Sequence, residues 1–249
     1  MEISKDWQVL PTNDTSYYNF PVSILQDFIR DTQEGLDKML KWAVYDWVKK
    51  YSVEHGKVRY KENTMREILE SLGIHTSVNF YTFYKACGQV YSKYKGARTG
   101  IARKHYWELV ERGFIGEADK VLLLSFLAAK SIIGRKEYCK TNDLLLFARM
   151  NGFDAAFHDV EELNEKGHLL IRRYYTRRRR DTIKMQLAET FHIVTYSNHD
   201  RGYFISSKLS LEELIEVVET SRKNSTGTYK KKVSHTRDLV LARLAQKPP

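Results

Sequence analysis

From Asp119 to Ile133 the chain reads Asp-Lys-Val-Leu-Leu-Leu-Ser-Phe-Leu-Ala-Ala-Lys-Ser-Ile-Ile, and Gly134 follows. Val121, Leu122, Leu123, Leu124, Phe126, Leu127, Ile132 and Ile133 fall almost all round a 3.6-residue turn, so a helix here has little face left for water. It has to be central and buried, and the rest of the fold must pack about it. Its longest apolar run, near Val121–Ala129, is less than half of the roughly 20 residues a membrane span needs. The surroundings are therefore expected to be protein, and 249 residues are enough to supply them.

The residues before it read as helices throughout. After a polar lead ending in Pro21, Leu25, Phe28, Ile29, Leu36, Met39, Leu40, Ala43, Val44, Trp47 and Val48 recur at helical spacing, closing with Lys49, Lys50 and Tyr51. Thr64-Met-Arg-Glu67 is a capping-box pattern for a short helix that reaches Leu72 and stops at Gly73. A turn at His75-Thr76-Ser77 leads into an aromatic segment with Phe80, Phe83, Tyr84, Val90, Tyr91 and Tyr94. Residues 63–95 thus fit a helix-turn-helix, and equally any helical hairpin. Lys93 to Lys104 reads as a secondary basic loop; its glycines make no phosphate loop, because no Gly-Lys-Ser/Thr follows.

Beyond Gly134 the grammar becomes more regular. Glu137 to Thr141 alternates like a short strand, and Thr141 or Asn142 can cap a helix carrying Leu144, Leu145, Phe147, Ala148 and Met150. Residues 153–170 read as a loose helix or an ordered connection. Ile183, Leu187, Ala188 and Phe191 then lie at helical offsets, with Arg177, Arg180 and Lys184 left for the outer face. His192 to Ser197 and Tyr203 to Ser207 have strand composition around Asn198-His-Asp-Arg-Gly202, a hairpin. Ser210-Leu-Glu-Glu213 is a second capping box, opening a helix through Val218. Only 4 Pro and 13 Gly are present, few for a turn-rich β protein. The fold class expected is mainly α with a small β-hairpin. A helical region spans 1–115, a second unit 116–220 and a basic tail 221–249.

Charge is unevenly placed. The net charge is +10, of which residues 171–184 carry +6 and residues 221–249 carry +7, so the other residues sum to −3. Such concentration suits a phosphate-binding surface. Enzyme readings are weaker. Cys87 and Cys139 make neither a disulfide framework nor a zinc set. His199-Asp-Arg201 and His235-Thr-Arg237 have the wrong spacing for a tyrosine recombinase. Asp143, Asp154, Asp159 and Glu161 can be read as nuclease ligands for Mg²⁺, but scattered acids on helices are more simply surface. No cofactor or metal is expected, and the start of the chain shows no secretory signal, so a cytoplasmic protein is.

Helix, short strand, helix, basic helix, hairpin: over residues 119–207 this order resembles the winged-helix class of DNA-binding domains. The resemblance implies a basic helix in the major groove and a hairpin wing on the flanking backbone. It assigns nucleic-acid contact to Arg172, Arg173, Arg177, Arg178, Arg179, Arg180 and Lys184, with Arg201 at the wing tip; the tail adds Lys230, Lys231 and Lys232. One departure stands out: about two dozen residues, Phe153 to Thr176, separate helices that the class joins tightly. A sequence-dependent reader of double-stranded DNA is expected, such as a transcriptional regulator or a replication or plasmid-maintenance factor, and a homodimer is compatible with it. The alternatives are binding of structured RNA, which Arg-rich segments also achieve, and a helical scaffold for an acidic partner.

Overall fold

The computed structural model describes residues 8–9, 17–54, 67, 69–70, 74–75, 80–197 and 202–222. Gln8–Val9 (β1) pairs with Ile74–His75 (β3). Tyr17–Pro21 (β2) pairs antiparallel with Arg98–Ala102 (β4), Tyr18 opposite Ile101. The N-terminal region is therefore not helical throughout. In β2, Tyr18 and Phe20 are buried while Tyr17 and Asn19 are exposed, a two-residue period too short to stand out beside a polar lead. The expected basic loop at 93–104 contains β4, and Arg103 is buried over the rings of Tyr18 and Trp47.

The apolar spacing from Leu25 onward resolves into two helices, Leu25–Arg30 (α1) and Thr32–Glu54 (α2). Asp31 breaks them. Its carboxylate accepts hydrogen bonds from the Gln33 and Glu34 amides at 2.9 and 3.1 Å, capping α2. The corner is tight: a Cβ on Gly35 would lie 2.3 Å from the Cα of Phe28. Phe80–Lys93 (α3) lies along α2, with Tyr84 and Tyr91 against Tyr45 at 5.0 and 4.7 Å between ring centroids. Glu67, Leu69 and Glu70 are helical, and His75, expected to open a turn, ends the strand Ile74–His75; the rest of the candidate helix-turn-helix before Phe80 lies outside the described residues.

Arg103–Arg112 (α4) ends at Gly113, and Glu117–Ile133 (α5) is the central helix. Val121, Leu124, Leu127, Ala128, Ala129 and Ile133 are buried, whereas Leu122, Leu123, Phe126 and Ile132 are only partly covered. Its burial is not complete all round. Tyr138–Thr141 (β5) and Asp143–Met150 (α6) follow, the Leu145 amide donating to the Asn142 side chain at 2.8 Å. The long connection holds two short helices, Val160–Lys166 (α7) and Leu169–Arg172 (α8).

Arg177–Phe191 (α9) leads to Val194–Tyr196 (β6) and Tyr203–Ser206 (β7), and residues 211–222 form α10. The three strands make one antiparallel sheet in the order β5-β7-β6, Thr141 opposite Tyr203 and Val194 opposite Ser206. The Ser210 capping box closes both ways: the Ser210 amide donates to Glu213 at 2.7 Å, and the Glu213 amide to Ser210 Oγ at 3.2 Å. The molecule is mainly helical with short antiparallel strands, and one hydrophobic core runs from Tyr18 to Ile205. The Thr99 hydroxyl on β4 donates to the Leu127 carbonyl on α5 at 2.6 Å, inside that core. Among the described residues no helix is long and apolar enough to cross a membrane.

Candidate nucleic-acid interface

Ile183 and Leu187, four residues apart, are the buried residues of α9, and they fix its rotation against α5 and the sheet. Arg180 and Lys184 lie on the same ridge and turn inward with them. Both reach Asp143 at the start of α6: Arg180 donates to Oδ2 at 2.7 Å, and the Lys184 ammonium sits 2.8 Å from Oδ1. Arg180 also covers the Tyr175 ring at 4.8 Å, and Lys184 the Tyr203 ring at 4.1 Å. One carboxylate thus ties α6 to α9, and Lys184 carries the contact on to the hairpin at Tyr203. Burial drives the Tyr203 hydroxyl well above its ordinary pKa, with the Asp143 charge adding to it. The expectation that Arg180 and Lys184 stand on the outer face is corrected: the burial of Ile183 and Leu187 carries them to the inner edge.

Three more of the expected cations are also engaged. Arg172 donates to the Asn164 carbonyl, holding α8 against α7. Arg173 lies 3.8 Å from Glu117 and stays exposed. Arg179 donates to the Arg173 carbonyl at 2.6 Å and lies over Tyr174 at 5.0 Å. Tyr174 and Tyr175 are half-buried, packed against the core. Arg201, Lys230, Lys231 and Lys232 lie outside the described residues.

Arg177 and Arg178 differ. Both are exposed and neither has an ion-pair partner among the described residues. With Asp181, Thr182 and Met185 they line an open groove of about 550 Å³. Met185 is 55% exposed, unusual for a methionine on an otherwise polar face. Four arginines open this helix, its first turn holds no acidic residue, and Thr176 at the N-cap makes no side-chain hydrogen bond. Positive charge at a helix N-terminus opposes the macrodipole, and the first amides there lack partners. An anion seated at this end would relieve both. Composition drew attention to the whole run, but only the rotation of α9 separates Arg177 and Arg178 from the rest. In the sequence Asp143 reads as a metal ligand or a surface acid; its place directly after a helix cap is the signal for a structural anion.

Of the other acids that could be read as Mg²⁺ ligands, Glu161 is exposed, and Asp154 and Asp159 are occupied. Asp154 accepts from the Ala97 amide at 2.9 Å and from Arg149 at 3.2 Å, while Asp159 caps α7 through the Glu162 amide at 2.8 Å. Among the described residues no three His, Cys, Asp or Glu side chains come together as a metal set. Burial raises the thiol pKa of both Cys87 and Cys139, away from the reactive range. No model of a known protein family matches the chain, and neither a characterised protein nor a solved structure does.

Proposed function

We propose that residues 117–206 form a winged-helix-like unit that reads double-stranded DNA, with α9 as the groove helix. The carrying observation is the pair Arg177 and Arg178, exposed and unpaired at the N-terminus of a helix that leads straight into a hairpin. The strand order β5-β7-β6 supports the reading, because the strand between the first two helices pairs with the far arm of the hairpin. In this reading Arg177 grips phosphate and Arg178 reaches a base edge, its guanidinium suited to guanine. Met185, two turns on, supplies an apolar contact of the kind a thymine methyl accepts. The protein then acts as a sequence-dependent DNA-binding factor, with α7 and α8 as an insertion beside the groove helix.

The test is binding to duplex DNA by fluorescence anisotropy over a series of salt concentrations, with structured RNA and an acidic polypeptide as competitors. Replacing Arg177 and Arg178 together by Ala is expected to weaken duplex binding and to lower the slope of log K against log salt by about 1, for the phosphate contact of Arg177, while the loss of Arg178 relaxes sequence preference. An unchanged slope, or preference for RNA or the polypeptide over duplex, overturns the reading.

A further inference from the structure

The face formed by α4, the turn after it and α5 carries an apolar groove of about 250 Å³. Leu109, Ile115, Leu122 and Leu123 line it, and the stacked rings of Phe126 and Phe191, 4.3 Å apart, belong to it as well. Phe114 lines the same groove but is 80% exposed, the most exposed large apolar side chain among the described residues. An apolar knob and an apolar hole therefore share one surface. We propose that this surface pairs with its own copy, Phe114 of each chain entering the groove of the other about a two-fold axis.

Two observations select a second copy over another partner. A two-fold contact uses one patch twice, and a knob beside its own hole is the shape that such a contact requires. The rim decides the charge. Glu108 and Asp119 stand on it with Arg112 and His105. None of the four has an ion-pair partner among the described residues, although Glu108 and Arg112 are one helical turn apart. A strongly acidic or basic partner would meet like charges somewhere on this rim. A two-fold axis crossing α4 midway between Glu108 and Arg112 sets each Glu108 against the Arg112 of the other copy. Phe191 is the last residue of α9, so pairing here leaves the Arg177 end, a helix length of about 22 Å away, clear of the contact.

The experiment is analytical ultracentrifugation of the full chain across a hundredfold range of concentration. The expected result is a concentration-dependent species of twice 29.3 kDa. Phe114→Asp should return it to the single-chain mass, while Phe114→Leu retains pairing; at 80% exposure neither change disturbs the core, which far-ultraviolet circular dichroism verifies. Two rim variants complete the test, one with Glu108→Lys and Asp119→Lys, the other with His105→Glu and Arg112→Glu. Each should be monomeric alone, and an equal mixture should form the dimer. A single-chain mass at every concentration overturns the proposal, as does a dimer indifferent to Phe114→Asp or a mixture that stays monomeric. The pairing stands apart from the DNA reading: a monomer that binds duplex would remove only the pairing.

Discussion

Asp27 shows how one residue organises its neighbours. Its carboxylate is buried, receives the Tyr94 hydroxyl at 2.5 Å, and pairs with Arg30 at 2.9 Å and Lys38 at 3.0 Å. Burial works against its charge, but the hydrogen bonds from Tyr94 and Lys38 and the charges of Lys38 and Arg30 outweigh it, leaving its pKa below the ordinary value. A depressed carboxylate stabilises the fold fully above its unfolded pKa of about 3.9, and that contribution is lost as pH falls towards and below it. Urea titrations between pH 3 and 7 should show the acid limb of stability flattened in Asp27→Asn, with a cost of about 2 kcal/mol at neutral pH. Gly35 is a second single-residue constraint. Gly35→Ala drives a methyl into the Phe28 backbone and should cost about 3 kcal/mol in the same titration.

At the scale of elements, α9 divides its cations by rotation. Arg180 and Lys184 serve Asp143, and Arg177 and Arg178 serve nothing within the described fold. The two pairs should therefore fail in different assays. Asp143→Ala strands two half-buried cations and should lower stability by about 2 kcal/mol in chemical denaturation. Arg177→Ala with Arg178→Ala should leave the unfolding midpoint unchanged, since exposed unpaired side chains contribute little. The central helix, the helix after Asn142, the basic helix, the hairpin arms and both capping motifs near Asn142 and Ser210 were legible in the sequence, because caps and periodicity are local signals, whereas the helix Arg103–Arg112 fell in and beyond what read as a basic loop. The pairing of β2 with β4 was not, since it joins residues about eighty positions apart and each strand alone is five residues long. Nor was the inward turn of Arg180 and Lys184, which follows the burial of Ile183 and Leu187 and meets an anion about forty positions earlier.

The whole molecule is held by one core, though the sequence divides naturally near the turn between Gly113 and Gly116. Thr99 is hydrogen-bonded to Leu127, the Ala97 amide to Asp154, and β4 packs along α5. That continuity has a practical meaning for anyone who would move the candidate reader elsewhere. Residues 116–249 expressed alone would bare the side of α5 that β4 covers, with Leu127 and its neighbours, and the loop at Asp154 would lose its clasp. Such a fragment should be recovered mostly as aggregate, or bind a hydrophobic dye strongly, where the full chain does neither; a well-dispersed amide spectrum from it would refute this. Many DNA-reading units are portable and can be grafted behind any linker. The candidate reader comes with its neighbour as scaffold, and a fusion built from it must carry both.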